Sequence, residues 1–133
     1  MKFALDAMGG DFAPHAVVQG ALDAIDKSSK PPSLILLGDE TAIRTEMAGR
    51  EVETIEIVHT DEVVNMDDKG SKVLKMKPNS SLVRGIQMVK NGQADGFISA
   101  GHTGAILSTT LLSLGRIPGV RRPALAAYFP TEK

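Results

Sequence analysis

The sequence contains no cysteine. That absence excludes disulfides, a thiolate nucleophile and every thiolate metal site. It also fits a reducing cytosol, where thiol cross-links do not persist. Long apolar runs are missing too: no stretch approaches the roughly 18 residues that a membrane-spanning helix needs. The first residues, MKFALDAMGGD, hold a short apolar run broken by Asp6. They read as a strand rather than a signal peptide, and a soluble, cytoplasmic protein is expected. Charge of one sign does not dominate, with 15 Lys and Arg against 16 Asp and Glu and a net charge of −1. Such a balance gives no general reason to bind nucleic acid. Neither the dinucleotide pattern GxGxxG nor the phosphate-loop pattern ending in Gly-Lys-Ser/Thr occurs, and there is no internal repeat or low-complexity segment.

What is present is ordinary globular material: 133 residues with 42% hydrophobic content, one domain or part of one. KFALD (2–6) reads as a buried strand, followed by the glycine-rich turn AMGGDFAP. Pro14 suits the first turn of a helix, where its missing N–H costs nothing. Val18, Ala21, Leu22 and Ile25 then recur at the spacing of one helix face, and KSSKPPS ends that helix. SLILLGD is a second buried strand, residues 39–48 a candidate helix, and the alternating ETIEIVH a third strand.

Residues 60–78 are ambiguous, with DDKGSKVLKMKP either a short basic helix or a mobile loop. NSSLVRGIQMVKNG is a helix capped by Asn79, Ser80 or Ser81, with Leu82, Ile86 and Val89 on one face and Asn91-Gly92 at its end. DGFIS is the fourth strand, and the loop SAGHTGA leads into a helix with Leu107, Leu111 and Leu114 along one side. After the connection GRIPGVRRP, ALAAYF is expected as a fifth strand. Strands alternating with helices imply a three-layer α/β/α arrangement around a mostly parallel sheet.

Two strand–loop–helix junctions stand out, DAMGGDFAP and SAGHTGA. In a parallel sheet both loops leave the carboxyl edge, where open α/β proteins bind ligands. Glycines allow close backbone approach, and the free N–H groups of a following helix favour an anion. The plainer alternative is that the glycines only make tight turns. His102 has the chemistry of a general acid or base, or simply enters a helix. Ser99 lacks the G-x-S-x-G surroundings of a nucleophile and reads as a hydrogen-bonding group. Asp11 suits a helix N-cap better than a metal site. Asp6, at a strand end, can orient a loop or position a substrate. Lys69, Lys72, Lys75 and Lys77 form one basic run, and Arg116, Arg121 and Arg122 another. Each is either a solvated face or a dock for an acidic partner or phosphate. His15 and His59 receive no role.

LDAMGGDFAP, ADGFISAGHTGA and GRIPGVRRPALA occur in this order, joined by KPNSSLVRGIQMVKNGQADG. Together they resemble the bacterial phosphate acyltransferases of phospholipid synthesis, the PlsX family, over essentially the whole chain. The resemblance implies transfer of an acyl group from acyl-[acyl carrier protein] to inorganic phosphate, giving acyl phosphate and free carrier protein. It implies a fold similar to the isocitrate/isopropylmalate dehydrogenase group, incomplete in this chain because family members are longer. Residues 1–133 would then be the N-terminal portion of a single phosphate acyltransferase domain.

It further implies a homodimer, peripheral membrane association at the inner face, and no metal or organic cofactor. Phosphate is itself the nucleophile, so the protein's tasks are to bind it, aim it and stabilise an oxyanion. On this basis the catalytic candidates are His102, Lys77 and Asp6. The substrate-binding candidates are Met8, Gly9, Gly10, Asp11, Ser80, Ser81, Ser99, Ala100, Gly101, Thr103, Gly104 and Arg122. The family usually carries Asn at the position of His102. Two alternatives stand beside this reading: a phosphotransacetylase-like enzyme using acyl-CoA, and a non-catalytic module that binds phosphate or carrier protein.

Overall fold

The computed structural model describes residues 1–124 and 126. Four strands form one parallel sheet: β1 (Lys2–Asp6), β2 (Ser33–Gly38), β3 (Ile55–His59) and β4 (Gly96–Ile98). Their order is β3-β2-β1-β4. The interior strand β2 is apolar without a break because both of its faces are covered. Leu34 and Leu36 join Leu5, Val18, Ala21, Leu22 and Ile43 on one side of the sheet. Ile35 and Leu37 join Ala4 and Ala94 on the other. Helices α1 (His15–Lys27) and α2 (Glu40–Glu46) cover the first face, and α4 (Ser81–Lys90) covers the second. The three-layer α/β/α expectation is therefore met.

Local chemistry sets the element ends. Asp39 caps α2 by accepting from the Ala42 N–H at 2.9 Å. Ser80, one of three cap candidates, caps α4 through the Val83 N–H at 3.3 Å. Helix α4 ends at Asn91 and Gly92, where Gly92 takes φ +71°, a conformation glycine adopts without cost. The two unassigned histidines serve as ties. His15 Nδ1 lies 2.7 Å from a Glu46 carboxylate oxygen, and His59 Nδ1 accepts from the Glu40 N–H at 3.2 Å.

One expectation needs correction, and two open points are settled. Asp11 does not cap α1. That helix begins at His15 with Pro14 at the cap position and no side-chain cap, and Asp11 is exposed. The ambiguous stretch 60–78 contains a 3₁₀ turn (Gly70–Lys72) and the short helix α3 (Val73–Met76). It is anchored by Val73, which is buried against Leu82, Val83, Ile86 and Ala105. In α5 (Thr103–Leu114), Leu107, Leu111 and Leu114 share a side, but it is not the packed one. They are 39%, 37% and 45% exposed, whereas Ala105 and Thr109 are fully buried. Apolar residues surround this helix, so its periodicity does not select a face. The backbone approach at its start selects instead, and that needs small residues. The expected fifth strand, ALAAYF, falls largely outside the described residues.

Candidate functional site

The strand order places a topological switch between β1 and β4. From β1 the chain moves outward through β2 to β3, then returns to the other side of β1 as β4. Helix α1, after β1, lies on one face. Helix α5, after β4, packs with α4 on the opposite face. The loops leaving these two strands therefore meet at the switch, the position where open parallel sheets bind ligands. They are the two glycine loops singled out by sequence.

The loops share more than an edge, because they touch. A Cβ added at Gly10 would lie 3.2 Å from the Ala100 Cβ, and one at Gly101 would lie 3.1 Å from the Gly9 Cα. Gly10 also takes φ +107°, a left-handed conformation that disfavours any side chain. The Asp6 carboxylate joins the loops. It is 3% exposed. Its Oδ1 accepts from the Ser81 hydroxyl at 2.5 Å and the Met8 N–H at 3.2 Å. Its Oδ2 accepts from the Ser99 hydroxyl at 2.8 Å. Ser99 Oγ in turn accepts from the Gly101 N–H at 3.0 Å. One buried carboxylate thus fixes β1, the start of α4 and the loop after β4. Both of its oxygens are hydrogen-bonded, which removes much of the cost of burying the charge.

A Cβ at Gly9 would sit 2.4 Å from Asp6 Oδ2 and 2.8 Å from Ser99 Oγ. No side chain fits there while those hydrogen bonds stand. Among the described residues, the amides of Gly10, Ala100, His102, Thr103 and Gly104 have no acceptor within the protein. They are donors left unspent at the two loops and the start of α5.

A second cluster fastens residues 65–77 to the start of α5. His102 Nδ1 accepts from the Ala105 N–H at 3.2 Å, and its Nε2 lies 2.9 Å from the Asp68 carbonyl oxygen. A neutral imidazole with its proton on Nε2 satisfies both contacts. Lys77 Nζ donates to the Asp68 carboxylate at 2.6 Å and to the Val63 carbonyl at 2.7 Å. The Lys77 hydrogen bond, then the one from the Asn65 N–H, holds the Asp68 carboxyl below its ordinary value. The Ser80 hydroxyl donates to the Lys77 carbonyl at 2.8 Å while it caps α4.

The structure therefore gathers Asp6, Met8, Gly9, Gly10, Ser81, Ser99, Ala100 and Gly101 into one cluster. Lys77, Ser80, His102, Thr103 and Gly104 lie in or beside the second. Asp11 is exposed, as is Arg122 in the segment after α5, and no hydrogen bond ties either to these clusters among the described residues. Sequence reasoning missed Asp68, which links Lys77 to His102. It also missed Gly70, where a Cβ would meet the Gly104 carbonyl carbon at 2.6 Å. The only local signal was the turn-like DDKG, which says nothing about its distant partner.

A family model described as fatty acid synthesis protein matches residues 1–133. Proteins named phosphate acyltransferase are similar to the chain. That of Dictyoglomus turgidum is 45% identical over 133 residues, 98% of this chain and 39% of the relative. That of Listeria innocua is 45% identical over 131 residues, 98% of this chain and 38% of the relative. That of Lawsonia intracellularis is 46% identical over 135 residues, 100% of this chain and 38% of the relative. The chain thus spans 38–39% of the length of these curated relatives.

Proposed function

The chain belongs to the fatty acid synthesis protein family, and from this premise and the loop geometry we propose that it supplies the phosphate- and thioester-binding edge of an acyltransferase. The reaction moves an acyl group from acyl-[acyl carrier protein] to inorganic phosphate. A phosphate oxygen attacks the thioester carbonyl, the carbon–sulfur bond breaks, and the thiolate leaves on the carrier protein. Acyl phosphate is the product. No enzymic nucleophile is needed, which suits a chain without cysteine.

The carrying observation is the contact of Gly9 and Gly10 with Ala100 and Gly101 at the switch between β1 and β4. Backbone amides without internal acceptors lie along these loops and the start of α5. Such donors stabilise charge that develops on an oxyanion, since they are already oriented. Asp6 is a positioning residue in this reading: its oxygens are occupied by Ser81, Met8 and Ser99, and a carboxylate facing phosphate would repel it. His102 is also a positioning residue, because each ring nitrogen already has a partner. Lys77, held by Asp68, steadies the neighbouring segment. Arg122 remains a candidate cation for phosphate.

The same reading takes acyl carrier protein as partner, a second copy of the chain as dimer mate, and a cytoplasmic location with peripheral membrane contact. The test uses the protein at the full length of its relatives, with acyl-phosphate formation followed against phosphate concentration. Gly101→Val should lower the rate by about 10²–10³, the usual cost of a lost oxyanion donor. A folded Gly101→Val enzyme with unaltered rate and phosphate dependence would place the chemistry elsewhere.

A further inference from the structure

The residue that caps α5 is a histidine held at both ring nitrogens. His102 Nδ1 accepts from the Ala105 N–H at 3.2 Å, and Nε2 lies 2.9 Å from the Asp68 carbonyl oxygen. A carbonyl only accepts, so the ring proton sits on Nε2 and Nδ1 keeps its lone pair for the cap. We propose that His102 is a proton-sensitive latch: neutral, it fastens the start of α5 to residues 68–70, and protonated it releases them. The inference is independent of the reaction the loops serve, and every contact it uses lies among the described residues.

A second proton can only go on Nδ1, which then points a donor at the Ala105 donor. The imidazole is rigid, so turning Nδ1 off Ala105 also moves Nε2 off Asp68. Among the described residues, that Nε2 contact is the one hydrogen bond between residues 65–77 and residues 99–114. The backbones it holds are packed tightly: a Cβ at Gly70 would lie 2.6 Å from the Gly104 carbonyl carbon and 2.8 Å from the Ala105 nitrogen. The new charge would also stand at the N-cap of a 12-residue helix with no acidic residue in its first turn, and the helix dipole opposes a cation there. Neighbouring charges do not compensate. Asp67 and Asp68 share a hollow with Lys69, Lys72 and Lys77, three cations to two carboxylates. The Lys77 hydrogen bond, then that from Asn65, holds the Asp68 carboxyl below its ordinary value, with His102 last among the groups that act on it. Lys75 of α3 and Arg84 of α4 are exposed cations. Asp6, at the loop after β1, is occupied by Ser81, Met8 and Ser99.

The test is amide hydrogen exchange on the protein at the full length of its relatives, corrected for the intrinsic effect of pH. Protection at Ala105 should fall as the pH drops through about 6.5, where a free imidazole takes up its proton. The expected fall is about 2- to 30-fold, the usual worth of a helix cap. His102→Asn keeps a capping oxygen that does not titrate, and its Ala105 protection should stay level. Asp68→Asn keeps the backbone carbonyl and should show the wild-type fall, which separates the latch from the Asp68 carboxylate. Nitrogen chemical shifts of the wild-type ring need no variant and should place its proton on Nε2 at about pH 7.5, a unit above the ordinary imidazole value. Level protection in the wild type overturns the proposal, as does an equal fall in folded His102→Asn. A fall that disappears in Asp68→Asn overturns it too, and so does a neutral ring with its proton on Nδ1.

Discussion

At the scale of single residues, the site depends on positions where a side chain cannot be added. Gly9→Ala would put a methyl 2.4 Å from Asp6 Oδ2 and 2.8 Å from Ser99 Oγ. The expected outcome is a broken Asp6–Ser99 hydrogen bond and, under the proposed acyl transfer by the full-length protein, a loss of about 10²–10³ in acyl-phosphate formation. A lowered thermal midpoint should accompany it. Steady-state kinetics and a melting curve on the same preparation check both effects. His102 gives the opposite kind of prediction. His102→Ala removes the cap on the Ala105 N–H and should cost about 0.5–2 kcal/mol. His102→Asn retains a capping oxygen and should cost less, losing only the reach to the Asp68 carbonyl. Urea unfolding of the two variants ranks them. Equal losses would show that the Asp68 contact, not the cap, matters.

At the scale of elements, the segment 65–77 behaves as a strap over the start of α5. The Asp68–Lys77 pair closes the segment on itself, and the Asp68 carbonyl meets His102 at the start of α5. Lys77 holds the Asp68 carboxyl below its ordinary value in the folded protein. The pair therefore contributes fully above the unfolded value of about 3.9 and is lost as pH falls through the lower folded value. The internal closure of this segment should hold at neutral pH and loosen only in acid. Amide hydrogen exchange at Asn65, whose N–H donates to Asp68 at 2.7 Å, should accelerate in that acid window. Asp68→Asn should remove the pH dependence. The exposed Lys75 on the same strap tests partner choice. Lys75→Glu should weaken binding of an acidic carrier protein at low salt, with the difference fading as salt screens it. Binding unchanged at low salt would make this lysine part of an ordinary solvated face.

At the scale of the molecule, stability rests on a sheet buried from both sides. Leu36 is 0% exposed at the centre of β2, between strands that pair with it in register. Leu36→Ala should cost about 2–5 kcal/mol from lost transfer energy and a residual cavity. A urea midpoint with unchanged slope reads that directly. The fold also links the scales. Because β4 pairs with β1, the two glycine loops leave neighbouring strands at one edge of the sheet and touch. Had β4 paired with β3, the same sequence motifs would sit three strands apart and form no common site.

The sequence by itself determined what depends on neighbours along the chain. The apolar run of β2, the face of Val18, Ala21 and Leu22, a cap within Asn79–Ser81 and the Asn91-Gly92 stop are local signals, and each was legible. So was the placement of both glycine loops at one sheet edge, since alternating strands and helices force parallel strands to end on the same side. Tertiary structure alone decided the rest. It chose β4 as the partner of β1, brought Gly9 against Gly101, and turned Asp6 into the acceptor for Ser81 and Ser99, residues 75 and 93 positions away. It gave His102 and Lys77 their common partner in Asp68, and it buried Ala105 rather than the α5 leucines. None of these follows from periodicity or turn chemistry. Each is a contact between distant segments, fixed by which backbones come close enough to exclude a side chain and which buried polar groups must then find partners.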